Sequence, residues 1–386
     1  MLRTSIIIFL GMLVSMLPSC IVPYDPHVEA KNINKFVVSG QITDNTDYQI
    51  VTVSKASPIG NPEYIPVSGC YVRIFDDKGN EFDMQETVSG TYHVQIDKSY
   101  LIPGISFKVE IRTSDGIDIE SDFDRMNECP AVDSVYFVRK EFSSNNLGQI
   151  TKGLQFYIDL NAGNINTHFF RWEAIETWEY HAPYPREWYY DGTVHHISPA
   201  DSSRMVCWST KLVKNIYTLS TVGLVQNRYT MLPLQYVDNH SARLMYGYSL
   251  LINQLALSEA AYSYWDQLRI NSSEQGGLYE KQPLSIVGNL HNNTNPDQVV
   301  LGFFSASSVK SRRIFISKVD DLPFDFSNYC SPDTLRVGGL HSIDPSEYPA
   351  FLVGNKIRYL PIQLSQYCVD CMSQGGTTVK PVFWPK

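Results

Sequence analysis

Tyr71-Val-Arg-Ile-Phe-Asp-Asp-Lys-Gly79 is the stretch whose reading decides the fold. Its side chains alternate with the period of a strand that buries one face. Asp76-Asp-Lys-Gly79 then stops it with the residues a tight hairpin turn needs. The pattern recurs on both sides. Upstream, Phe36-Val-Val-Ser-Gly40, Gln41-Ile-Thr-Asp44 and Ile50-Val-Thr-Val53 read as strands. Downstream, Gly90-Thr-Tyr92 opens a strand, Pro103-Gly104 is a turn, and Ser106-Phe-Lys-Val-Glu-Ile111 alternates up to Ser114-Asp-Gly116. Short strands with turn signals every eight to twelve residues or so specify a β-sandwich, here over residues 33–128.

Cys129-Pro130 marks a boundary. Beyond it, Val132–Val138, Leu154–Leu160, the long run Phe169–Tyr180, Ile216–Val222, Leu244–Leu257, Pro283–Leu290, Val299–Ser305 and Arg313–Ser317 read as strands. One helix is expected over 258–272: Ser258 is an N-cap, and Leu257, Ala261, Tyr264, Trp265 and Leu268 recur at helical spacing before Asn271–Gly277 ends it. The tail from Tyr359 is rich in turns. The expected class is therefore all-β: an N-terminal sandwich, then a larger mainly-β domain over 129–386 with one clear α-helix.

The first twenty residues carry an address. Arg3 gives a positive start, Ser5–Leu17 is almost wholly apolar, and Leu17-Pro-Ser-Cys20 closes it. This reads as a lipoprotein signal peptide over 1–19, with cleavage before Cys20, lipidation of its sulfur and a tether over 20–32. Several acyl chains on one residue hold a protein to a bilayer where one chain would not. The second mature residue, Ile21, is not an aspartate, and by resemblance to lipoprotein sorting in diderm bacteria that points to the outer membrane.

The net charge of -9 argues against nucleic acid or an anionic membrane surface as ligand. With 24 Tyr, 18 Phe and 6 Trp, the composition suits an extracellular β-rich protein presenting amphipathic aromatic surface. Six cysteines remain once Cys20 is lipidated: Cys70, Cys129, Cys207, Cys330, Cys368 and Cys371. An even number in an exported chain fits disulfides. The Cys368-Val-Asp-Cys371 pair could also suggest zinc or redox chemistry, but no further ligands sit nearby, and Gly375-Gly376 favours a loop over a helix start. The expected bridges join Cys207 and Cys330 to the Cys368/Cys371 pair and pin the tail; Cys70 with Cys129 is a further expected pair.

Two resemblances follow from motifs in order. Ser39–Asp44, Val72–Gly79, Gly90–Tyr92 and Pro103–Phe107 resemble the immunoglobulin-like or carboxypeptidase-regulatory-like modules of exported bacterial proteins. Ala260–Trp265, Gly277-Leu-Tyr-Glu-Lys-Gln-Pro283, Gly288-Asn289, Leu301-Gly-Phe-Phe-Ser-Ala-Ser307, Cys368-Val-Asp-Cys371 with Gly375-Gly376, and Lys380-Pro-Val-Phe-Trp384 together resemble the DUF4249 family of Bacteroidota lipoproteins. What this implies is a surface-facing outer-membrane lipoprotein, often encoded beside a TonB-dependent transporter. The family brings no established reaction and no catalytic site.

The residues themselves offer little chemistry. No nucleophile elbow, phosphate loop or His-Glu-x-x-His is present. His195 and His196 are adjacent, and adjacent strand residues face opposite ways, so one metal between them is not expected. His341, Ser342 and Asp344 are close only in sequence, which does not make a triad. Asp133-Ser-Val135 and Asp333-Thr-Leu335 match a three-residue O-glycosylation pattern. The strongest binding candidates lie in the aromatic, proline-rich stretch that follows Trp178 and Tyr180: Tyr184, Trp188, Tyr189 and Tyr190, expected on an excursion from the sheet. Phe170 and Trp172, at alternate spacing, are expected in the core.

The functional expectation is a non-catalytic outer-membrane lipoprotein without cofactor, acting as accessory or ligand-binding partner of a TonB-dependent β-barrel transporter. The alternatives are a structural part of an outer-membrane assembly complex and, third, a glycan-active enzyme, which needs two carboxylates facing each other across a cleft.

Overall fold

The computed structural model describes residues 35–46, 48–57, 62–143, 150–273, 286–324, 330, 332–334, 339–354 and 361–385. The expected leader 1–19, Cys20, the expected tether 20–32 and the Gly277–Pro283 motif lie outside the described residues. The chain is mostly strand, with one long helix, Glu259–Ser273.

Two six-stranded sheets form the N-terminal sandwich. The first runs Leu301–Ser307, Phe36–Thr43, Tyr48–Lys55, Thr91–Gln95, Gln85–Val88, with Ile65–Pro66 beside Tyr48–Lys55. The second runs Leu290–Asn292, Asp118–Ser121, Ser106–Arg112, Tyr71–Asp76, Glu81–Asp83, with Asp124–Arg125 beside Ser106–Arg112. Alternation holds where it was read: Val72 and Ile74 are fully buried, and so are Phe107 and Val109 on the neighbouring strand. The turn works through Asp76, whose carboxylate accepts from the amides of Lys78 (2.9 Å) and Asn80 (2.8 Å), while Gly79 takes a φ of 87°.

The sandwich is not built from residues 33–128 alone. Leu290–Asn292 and Leu301–Ser307 come from deep within the 129–386 span and add one strand to each sheet. Leu301–Ser307 pairs parallel with Phe36–Thr43, Val38 opposite Gly302. Two glycines make this approach possible. Gly40 leaves room for the Phe304 ring, and Gly302 takes a φ of 102° where a Cβ would stand 1.8 Å from the Val38 carbonyl oxygen.

The second unit packs a three-stranded sheet (Ser134–Ser143, Ile150–Asn161, Arg228–Asp238) on a five-stranded one (Val206–Leu212, Phe169–His181, Gly247–Ala256, Val309–Ser317, with Tyr217–Ser220 beside Phe169–His181). Phe156, Phe170, Trp172, Leu250 and Ile252 meet in its core, each at most 1% exposed. The helix Glu259–Ser273 is capped by Ser258, whose hydroxyl accepts from the Ala261 amide at 3.1 Å. Its Tyr264 packs on Phe303 of the returning strand, and its Trp265 stacks under the Arg171 guanidinium at 3.5 Å. The Ser258 cap also donates to the buried Asp124, whose other oxygen accepts from the Ala306 amide at 2.8 Å. One carboxylate thus ties sandwich, helix and returning strand.

A fifth sheet, of five strands (Val194–Asp201, Arg186–Tyr190, Ala350–Gly354, Pro361–Leu364, Pro332–Thr334), carries the aromatic stretch. Most of the expected excursion is a strand, Arg186–Tyr190, with a register shift against its hairpin partner between Arg186 and Trp188. Tyr190 is 4% exposed, and the hairpin tip is Asp191–Thr193. The alternation of Trp188 and Tyr190 with Glu187 and Tyr189 is strand alternation, and its burying partner, Ala350–Gly354, is supplied by a segment 160 residues later that no local pattern names.

Candidate functional site

The chain offers its most varied side chains where the tail closes over the five-stranded sheet. On Phe169–His181, Glu176, Trp178 and Tyr180 share one face because they are two residues apart. Opposite them across the ladder stand Lys211, Ser209 and Cys207. The tail is brought over this face by Cys371, disulfide-bonded to Cys207. It lies close because Gly376 has no side chain: a Cβ there would fall 2.1 Å from the Tyr180 hydroxyl oxygen. That hydroxyl donates to the Cys371 carbonyl at 2.9 Å, and burial raises its pKa. Thr377 completes the closure, exchanging both backbone hydrogen bonds with Trp208.

Between sheet, tail and the short turn Ala242–Leu244 lies a cleft of about 590 Å³. Its floor is Glu176, Trp178 and Lys211; Arg243 forms one wall, Tyr367 and Gln374 of the tail the other. Glu176 is 7% exposed and gives one oxygen to three donors: the Gln235 amide (2.9 Å), the Tyr248 hydroxyl (3.0 Å) and the Arg243 guanidinium (3.2 Å). Burial, then the Glu176 charge, hold the Tyr248 hydroxyl well above its ordinary pKa, so it stays a donor. Lys211 lies directly across the ladder from Glu176, yet its ammonium sits over the Trp178 ring, 5.5 Å from the centroid. Chemically the cleft has an aromatic platform, hydrogen-bonding walls and a single lining carboxylate already engaged.

Both disulfides fix this wall. Cys207 pairs with Cys371 and Cys330 with Cys368, so the Cys-x-x-Cys pair is split between two bridges, as expected. Asp370, between them, accepts from Arg186 and from Arg204 (2.7 Å) and caps the Met372 amide (2.9 Å). Cys70 and Cys129 do not pair, which corrects that expectation. The Cys70 thiol faces the Val67 carbonyl inside the sandwich, whereas Cys129 has left the sandwich and donates to the Gln254 carbonyl (3.2 Å) in the next sheet. Burial pushes the Cys129 thiol up to about 12.

The other candidates fall elsewhere. Trp188 and Tyr189 are half-buried and stack on His196 and His195, with centroids 4.0 and 4.6 Å apart. The two histidines therefore face opposite sides of their strand, each against its own ring. Tyr184 is half-buried beside Cys330 and Val353, and its amide donates to the Cys368 carbonyl (3.0 Å). Tyr190 packs with Ile343 and Leu352. His341 reaches the Tyr190 hydroxyl (3.3 Å), Ser342 donates to Gly339 and Asp344 caps Ser346, so these three form no triad. Ser134 is in a strand and donates to Asp159 (2.7 Å); Leu335 lies outside the described residues. Among the described residues no group of His, Cys, Asp and Glu could hold a metal ion, and no helix is long and apolar enough to cross a membrane.

Residues 21–313 match the family described as a domain of unknown function, DUF4249. The chain belongs to the DUF4249 family. No curated protein matches it. The family match takes in the sandwich, its returning strands and the cleft floor, including Gly40 and Gly302. The cleft's tail wall lies beyond residue 313.

Trp178 and Tyr180 were legible as aromatics near the binding candidates. Glu176, at the same period of two, carried the same signal. Lys211, Arg243 and Gln374 gave none, because what brings them together is the ladder register, a turn and a disulfide.

Proposed function

We propose that this DUF4249 protein is a non-catalytic lipoprotein, anchored through Cys20 to the outer membrane and facing the cell surface, that serves a TonB-dependent transporter as its ligand-binding accessory. The cleft over Trp178 carries the reading. Its aromatic floor and polar walls suit the capture of a ligand, and two disulfides hold its tail wall in place before anything binds. The lining holds one carboxylate, engaged by three donors, where glycoside hydrolysis uses a pair. The lipobox supports the anchor, and the family resemblance supports the transporter.

The test is fractionation and capture. Cys20→Ala should move the protein from outer membranes into the soluble fraction, and the tagged wild-type chain should co-purify with a TonB-dependent barrel in stoichiometric amount. A Cys20→Ala protein that stays with membranes after high-salt and carbonate washes removes the anchor from the proposal. Co-purification of an assembly barrel in place of a transporter replaces the accessory role with a structural one.

A further inference from the structure

We infer that the cleft binds an acidic saccharide, a sugar ring bearing a carboxylate; this rests on the reading of the cleft as a ligand site. Trp178 lines the cleft floor with a half-buried indole, a surface against which the C–H face of a sugar ring packs, its hydroxyls outward, once the exposed Lys211 side chain over the ring swings aside to meet the ligand. Those hydroxyls meet donors and acceptors on several sides: Ser209 on the floor, Gln374 on the tail wall and Arg243 opposite. A wholly apolar ligand would strip water from Ser209 and Gln374 without replacing its hydrogen bonds.

The charges select an acid. Two cations and one carboxylate line the cleft, although the whole chain carries a formal charge of -9. Arg243 is compensated by Glu176. Lys211 is not: its cross-strand neighbour Glu176 is occupied by other donors, and its ammonium rests over Trp178, exposed to the cleft. A ligand carboxylate lying beside a ring stacked on Trp178 meets that ammonium directly. An extended peptide is less suited. Peptides add to a free strand edge, and at Trp208 the edge of Val206–Leu212 is taken by Thr377 of the tail.

The experiment is calorimetric titration of the purified protein with trigalacturonate, cellotriose and triglutamate. Trigalacturonate should bind at one saturable site, and the other two at least about tenfold more weakly, the worth of one charge-assisted contact. Lys211→Gln should weaken trigalacturonate about tenfold and abolish the salt dependence of its binding. Its side chain is exposed, so the thermal midpoint should not move. Trp178→Phe should weaken all saccharide binding. Equal binding of cellotriose overturns the acid, and equal binding of triglutamate overturns the sugar. If no probe binds while a transporter barrel still co-purifies, the saccharide assignment fails and the accessory role stands. If neither is seen, both fail.

Discussion

Cys371 is bonded to Cys207 across 164 residues of sequence, with their Cα atoms 5.7 Å apart. The bond lays a turn-rich tail on the face of the central sheet, and the cleft exists because of it. With Cys330–Cys368 closing a 38-residue loop beside it, the tail is held at adjacent points, and its regular structure among the described residues is the short strand Pro361–Leu364, a four-residue helix and a short turn.

Reduction should therefore open the cleft and destabilise the second unit. In the loop-entropy account, closing 164 and 38 residues restricts the unfolded chain by about 5 and about 4 kcal/mol. Denaturant unfolding of oxidised and reduced protein should show a lower midpoint for the reduced form, with proteolysis beginning in the tail. Coincident midpoints would show that the packing of Tyr180, Trp208 and Trp384 holds the tail without the bridges.

Asp124 should make stability depend on pH in an unusual direction. Burial raises its pKa from 3.8 to about 6, although Ser258 and Ala306 donate to it. The folded chain then binds more protons than the unfolded one between those values. Its contribution is largest below pH 3.8, declines as pH rises to about 6 and is flat above, by about 3 kcal/mol in all. Asp124→Asn keeps an acceptor for Ala306 and should flatten this window. Unfolding midpoints of the two proteins from pH 4 to pH 7 should converge at the acid end; parallel curves would show that Asp124 titrates alike in both states.

Gly302→Ala should be among the most damaging single substitutions in the sandwich. The new Cβ meets the Val38 carbonyl oxygen at 1.8 Å, at a φ of 102° that side chains rarely adopt. The cost is at least about 3 kcal/mol, since the strand must leave its partner to relieve the clash. Gly116→Ala, with a similar φ and open space around it, is the control for backbone strain alone. Equal midpoints for the two variants would refute the close-approach argument.

Replacing Trp188 and Tyr189 with Ala should lower the thermal midpoint, because both rings are half-buried in a sheet and stacked on histidines. About 1–3 kcal/mol for the pair is expected from lost burial and stacking. An unchanged midpoint with lost partner binding would restore these rings as a docking surface.

Much of this protein was decided by local pattern. Period-two alternation in Phe36–Thr43, Tyr71–Asp76 and Ser106–Arg112 specifies half-buried strands whatever lies elsewhere. Ser258 and the helical spacing after it specify Glu259–Ser273. The even cysteine count and the bare tail pointed to the two bridges that form. What only tertiary structure decided is which distant segment completes each element. Nothing near Leu301–Ser307 says that it returns to lie parallel to Phe36–Thr43, and nothing near Arg186–Tyr190 says that Ala350–Gly354 will cover it. Alternation records that a strand has a buried side, not what buries it, and a backbone edge pairs with any other. The choice is made by the global packing of apolar faces, by glycines that admit a neighbour and by disulfides that close long loops. The cleft over Trp178 is a product of those choices: its floor comes from one strand pair, one wall from a turn and the other from a tail about 190 residues away.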